Sequence, residues 1–209
     1  MTPIAYTISP YLLRYLNQLE SLRQQILLFP LSPKRELGLQ FQATVERVHF
    51  GLSLTDVHIH PDKIKAILAN QIVFAMQKKV TFKDPLQSDI LRYKLSLDYI
   101  KRDWHLSSQS ISANTLLHLY SLTGEPQVKI AERELQDIVS YLNASADNPF
   151  TQAALVKLQI RRLLPDSRQT ELFSTMASYL FLYQSGMDCR GLLVLEKPWS
   201  QERKLFNGY

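Results

Sequence analysis

Apolar residues recur along this chain every three to four positions, in stretches broken by short polar turns, which is the periodicity of amphipathic helices. Leu12, Leu13, Leu16, Leu19 and Ile26 make one stripe. Ile64, Ile67 and Leu68 start a second that runs towards Met76, and Ile90, Leu91, Leu95, Leu97 and Ile100 make a third. Each follows a capping-type residue and a proline, at Ser9-Pro10, His60-Pro61 and Asp84-Pro85, and Asn148-Pro149 opens a fourth such segment. Proline's fixed φ suits the first turn of a helix, where its missing N–H is not needed. Further helices are predicted over 34–48, 112–122, 130–144, 168–185 and roughly the last fifteen residues.

Two segments are apolar on more than one side. After Pro149, Ala153, Val156, Ile160 and Leu164 share a face while Leu155 and Leu158 fall nearly opposite. In the next segment Leu172, Met176, Tyr179 and Tyr183 share a face, with Ala177 and Phe181 on another. A helix apolar nearly all round is normally buried. These two are expected to form a central pair that the others wrap. Gln127-Val128-Lys129-Ile130 is the one short extended candidate, so the chain is predicted to be all-α, without internal repeats or low-complexity segments.

Composition narrows the function classes. Six glycines in 209 residues argue against a Gly-rich nucleotide loop and a turn-rich β fold, and 45% hydrophobic residues suffice for a sizeable core. The net charge of +5 is dispersed in small groups, Gln77-Lys78-Lys79, Arg161-Arg162 and Arg203-Lys204, as expected of solvated helix faces rather than a nucleic-acid surface. Cys189 has no second cysteine to pair with, and is expected to be a structural thiol. His58 and His60 read as helix-entry residues rather than metal ligands, and Trp104 and Trp199 as packing anchors. The N-terminus lacks a basic leader with an apolar core, and no apolar run reaches spanning length, so a soluble, cytoplasmic protein is expected.

Several patches share an order that belongs to a known family. Ala43-Thr44 through Leu52-Ser53-Leu54-Thr55-Asp56-Val57 is similar to a segment usually read S-S-x-I-E-G-x-x-L-T-L-E-E-V. Leu116-Leu117-His118-Leu119-Tyr120 is similar to an L-H-x-x-L helix, and Asn148-Pro149-Phe150 with Ala153-Ala154-Leu155 to H-P-x-x-x-A-A-x. Ser185-Gly186-Met187-Asp188-Cys189-Arg190-Gly191-Leu192-Leu193-Val194-Leu195-Glu196 resembles G-Y-D-x-R-G-L-L-x-L-E. The ordered set resembles the Fic family, whose reaction is typically transfer of AMP from ATP to a protein hydroxyl. It implies a Fic-like helical domain over 41–209, preceded by an N-terminal helical segment over 1–40.

With the flanking helices aligned, the family's central motif, H-P-F-x-D-G-N-G-R, falls without a gap on 164–172, and of its residues only the proline, Pro165, is kept. The resemblance places Leu164 at the base that deprotonates the target hydroxyl, and losing such a base costs about 10²–10⁴ in rate. It places Arg168 at the Mg²⁺-holding acid, where a cation repels metal. Gln169, Thr170 and Glu171 replace the turn whose backbone N–H groups approach phosphate, and Leu172 and Thr175 stand at the two arginines. The family's restraining Ser/Thr, glutamate and following glycine correspond to Thr44, Val48 and His49, so that restraint is missing too. The β-hairpin flap is expected to be shortened or absent, because only Ser121 to about Ile130 separates the flanking helices. The turn itself reads as a capping box with Asp166 as N-cap and Gln169 reaching back, its carboxylate filling the anion position.

The resemblance with these losses implies a regulatory or protein-interaction module without AMP transfer. It predicts no catalytic residues, metal or cofactor, disfavours nucleotide binding, and favours a protein partner or homo-oligomer. No membrane or nucleic-acid partner is expected. The alternative is an enzyme of altered chemistry, holding a different phosphorylated ligand through Arg161, Arg162 and Arg168.

Overall fold

The computed structural model describes residues 6–74, 84–124, 128–144 and 147–201. Among them the helices are α1 (Pro10–Leu28), α2 (Pro33–Ser53), α3 (Pro61–Phe74), α4 (Pro85–Trp104), α5 (Ala113–Thr123), α6 (Glu132–Ala144), α7 (Pro149–Leu163), α8 (Arg168–Gln184) and the short α9 (Glu196–Gln201), with no strand. The fold is all-α. The predicted extended piece at 128–130 is irregular backbone, and Gln127, with part of the flap region (125–127), lies outside the described residues. So do Met76, Gln77-Lys78-Lys79 and Arg203-Lys204.

The proline-marked starts form as their chemistry dictates. Ser9 Oγ accepts from Leu12 N, Asp84 Oδ1 from Leu86 N at 3.0 Å, and Asn148 Oδ1 from Phe150 N at 2.9 Å. Each satisfies an N–H that the first helical turn leaves without a partner. At His60-Pro61 the backbone carbonyl of His60 accepts from Lys63 and Ile64, and its ring Nδ1 lies 3.3 Å from Asp62 N. Ser32-Pro33 opens α2 in the same way, so that helix is longer at both ends than its apolar pattern predicts.

α7 and α8 form the central antiparallel pair, and α4 and α5 also pack on α8. From Phe173 to Tyr183 every residue of α8 is buried. α7 is less enclosed than predicted. Its Ala153, Leu155, Val156 and Ile160 are buried, but Leu158 is 48% exposed, because the side of α7 away from α8 and α6 meets solvent. α6 bridges α5 and α7, while α2 packs on α9, α3 and α4.

α1 departs furthest from expectation. Of its apolar stripe, Leu16 alone is buried, while Leu12, Leu13, Leu19 and Ile26 are exposed. The helix is held by polar contacts at its far end: Arg23 Nε donates to Gly186 O at 3.0 Å, and the Arg190 guanidinium donates to the carbonyls of Leu27 and Phe29. These last two belong to the C-terminal end of α1, where carbonyls lack helical partners and a cation is favoured.

Candidate functional site

The junction between α7 and α8 carries the positions at which the resemblance puts the chemistry. Leu164 adopts an extended backbone at the C-terminus of α7, its N–H still bonded to Ile160 O at 3.0 Å, and its side chain is 5% exposed. The next helix is capped by Ser167, not Asp166. Ser167 Oγ accepts from Thr170 N at 3.1 Å and lies 2.9 Å from Thr170 Oγ1, and the latter hydroxyl donates to Pro165 O at 2.8 Å. Asp166 is exposed, one residue too early to reach the amide at N3. Gln169 does not reach back to the cap. It is buried and donates to Tyr120 O at 3.4 Å. A neutral hydroxyl therefore occupies the first turn of α8, in place of the expected carboxylate.

Beyond the cap, charges are matched locally. Arg168 pairs with Asp89 of α4 at 2.6 Å. Glu171 takes Lys157 of α7 at 2.6 Å and lies 3.6 Å from Arg161 Nε. The ammonium of Lys157 also donates to Thr175 Oγ1 at 2.8 Å and sits 4.4 Å above the ring of half-buried Trp199. Burial lowers the pKa of this lysine, while the Glu171 carboxylate works in the opposite direction. Arg162 is exposed.

Beside the junction opens a cleft of about 430 Å³, walled by the end of α2, the starts of α4 and α8, and the end of α5. Its lining includes Gly51, Asp89, Arg92, Gly124, Arg168 and Leu172. Of the three arginines considered for a phosphorylated ligand, Arg168 reaches this cleft, at its Asp89 pair, whereas neither Arg161 nor Arg162 lines it. Of the positions at the family's restraint, Thr44 donates to Gln40 O of its own helix at 2.8 Å, Val48 is fully buried in the core, and His49 Nδ1 lies 2.8 Å from Ile59 O. His58 and His60 are exposed, and among the described residues no cluster of three or more His, Cys, Asp or Glu side chains could hold a metal ion.

The main polar cluster of the core lies elsewhere and was not expected from the sequence. Arg47 of α2, 3% exposed, donates from Nε to Leu193 O at 2.7 Å, from one terminal nitrogen to Tyr183 Oη at 3.0 Å and from the other to Gly191 O at 3.0 Å. Its guanidinium stacks 4.8 Å from the Tyr179 ring centre. Fully buried Glu196 accepts from Tyr179 Oη at 2.6 Å and from Tyr93 Oη. Burial raises the pKa of Glu196, against the pull of Arg47 and of the two phenols. A lone arginine between Val45 and Val48 in an apolar-periodic stretch was the signal available. The cluster is enclosed and internally satisfied, so it binds α2, α4, α8 and the 185–196 segment together rather than offering a reacting group.

In that segment Gly186, Cys189, Arg190 and Gly191 all have positive φ, a tight path that turns the carbonyls of Gly191 and Leu193 towards Arg47. The Cys189 thiol is buried, and burial followed by the neighbouring Asp188 raises its pKa, in keeping with a structural role. No described helix is long and apolar enough to cross a membrane.

By sequence, no protein-family model matches the chain and no curated protein is significantly similar to it. By structure it is similar to a Fic family protein from Desulfovibrio desulfuricans G20, with a TM-score of 0.69 at 12% identity, over 99% of this chain and 67% of that one. Identity that low speaks for the fold alone, and at that level the conclusion is plain: this chain has a Fic-like fold.

Proposed function

We propose that this chain is a Fic-like protein without AMP-transfer activity, acting through protein contacts as a regulator or assembly partner. The observation that carries the reading is Leu164, a buried aliphatic side chain at the position the resemblance assigns to the proton-abstracting base. The neighbouring chemistry agrees with it. Arg168 stands where a metal-holding acid would be and is neutralised by Asp89, and the first turn of α8 bonds its own Ser167 hydroxyl. Glu171 puts a carboxylate already paired with Lys157 where the resemblance has a glycine that lets phosphate approach.

The test is incubation of the full chain with ATP labelled in its α-phosphate, with Mg²⁺ or Mn²⁺, alone and with a protein extract. The expected result is no transfer of label to any protein, and no saturable heat on titration with ATP by calorimetry. Covalent labelling that is lost on substitution in 164–172 would overturn the proposal. Saturable binding of a phosphorylated ligand that weakens in Arg168→Ala would favour the second reading, a cleft of altered chemistry. That reading draws its support from the position of Arg168 on the cleft wall.

A further inference from the structure

One corner of the cleft beside the α7–α8 junction brings two nitrogen donors together over a glycine. Arg92 of α4, Gln169 of α8 and Gly124 at the end of α5 all line it. A methyl group placed on Gly124 would lie 3.6 Å from Arg92 Nη1 and 3.4 Å from Gln169 Nε2. The missing side chain thus keeps the space in front of both donors open. Each donor is held by its own surroundings. Arg92 Nε donates to Ser88 Oγ one turn earlier at 3.2 Å, and Gln169 is 8% exposed, with Tyr120 O at 3.4 Å from its amide. A guanidinium and an amide N–H converging on open space are suited to an oxyanion.

The rest of the wall limits what that anion is attached to. Asp89 lines the same cleft, so a ligand with several negative charges would face a carboxylate, and Arg168 is already engaged by Asp89 at 2.6 Å. A single negative charge fits this wall better than the roughly two charges of a phosphate monoester at neutral pH. Leu52, Pro85 and Leu172 add apolar surface for the body of the ligand. The volume of about 430 Å³ is in the range of small-molecule sites, which pair apolar walls with a few placed polar groups.

We infer that this cleft binds a small organic monocarboxylate, its carboxylate held by Arg92 and Gln169 over Gly124 and its apolar body against Leu52 and Leu172. Such a site needs neither a base nor a metal, so it stands whether or not the chain transfers AMP. It shares the cleft with the phosphorylated-ligand reading but differs in both anion and cation, with Arg92 in place of Arg168.

The test is titration of the full chain with phenylacetate, followed by nitrogen-15 NMR. Saturable shifts are expected at the Gly124 N–H and the Gln169 side-chain amide, and none with phenylacetamide, which keeps the shape without the charge. Arg92→Ala should weaken binding by about tenfold or more. Gly124→Ala should block the site, because its methyl would stand in contact with both donors. The backbone there is extended, with φ 166°, so alanine is accommodated and the fold is kept. No saturable binding of phenylacetate, equal binding of phenylacetamide, or indifference to Arg92→Ala and Gly124→Ala would each overturn the inference and leave the absence of AMP transfer untouched. Tighter binding of phenyl phosphate, lost in Arg168→Ala, would overturn it in favour of the phosphorylated-ligand reading.

Discussion

The carboxylate of Glu196, at the start of α9, lies 2.6 Å from the hydroxyl of Tyr179 on α8, and neither side chain reaches solvent. Its second oxygen takes the hydroxyl of Tyr93 on α4, and its charge faces Arg47 of α2 across the Tyr179 ring. Replacing Glu196 by alanine strands the buried Tyr93 hydroxyl, leaves Tyr179 Oη with only Leu193 O, at 3.2 Å, to donate to, and takes the counter-charge from a buried cation. Such uncompensated groups cost about 3–5 kcal/mol. Glu196→Gln keeps an acceptor for one phenol and should lose less, about 1–3 kcal/mol. Urea unfolding of the two variants gives the ordering, and an alanine variant as stable as the wild type would contradict the account.

The same cluster fixes a response to alkali. Burial, then the Glu196 charge, pushes the Tyr93 and Tyr179 phenols well above their ordinary value. Because the folded pKa lies above the unfolded one, near 10, the contribution is intact below that pH and is lost as pH rises towards the folded values. The urea midpoint should therefore hold from neutral pH to about 9 and fall above 10. Tyr179→Phe should make that fall shallower while lowering stability at neutral pH. A midpoint that stays flat above pH 10 would show the phenols ionising as freely in the folded protein as in the unfolded chain.

Why part of this was legible in the sequence follows from where each interaction sits along the chain. The proline-marked helix starts and the α7–α8 pair were readable because a cap and a helical stripe involve residues a few positions apart. The patches around Thr55, His118 and Gly191 carried the Fic likeness because their order survives at an overall identity where no sequence comparison does. The Arg47 cluster was not readable. Its partners lie at 183, 191 and 193, and nothing local distinguishes an arginine that bonds remote carbonyls from one that points to water. On α1 the stripe was real but its direction was not encoded, since an apolar face reads alike whether it meets a core or another molecule. The α8 cap lies one residue beyond Asp166, where the sequence does carry a local signal: Ser167 and Thr170 have the same Ser-x-x-Thr spacing with which Ser112 and Thr115 cap α5.

That capping assignment separates neighbouring side chains. Ser167→Ala removes the acceptor for Thr170 N and should destabilise by about 0.5–2 kcal/mol. Asp166→Ala, at an exposed residue outside the cap, should stay within about 0.5 kcal/mol of wild type. Thermal unfolding of the pair decides it. A larger loss at Asp166 would restore the carboxylate as the group that closes the start of α8.

Two glycines of α2 should respond to alanine with opposite sign. Gly38 lies on a helical turn with no other group near the place a Cβ would occupy, so Gly38→Ala removes backbone freedom from the unfolded chain at no steric cost. It should stabilise by about 0.5–1 kcal/mol. Gly51 has the same backbone conformation, but a Cβ there would come within 2.6 Å of Tyr93 Oη and 2.7 Å of Cζ. The ring cannot swing aside cheaply, because it is fully buried and its hydroxyl is committed to Glu196. Overpacking of this kind costs about 1–3 kcal/mol, more than the helix propensity gained. The close approach of α2 to α4, which also shapes the cleft wall at Gly51, thus rests on a missing methyl group. Melting temperatures of the two variants test it directly, and a Gly51→Ala protein that melts above wild type would mean that Tyr93 is free to move.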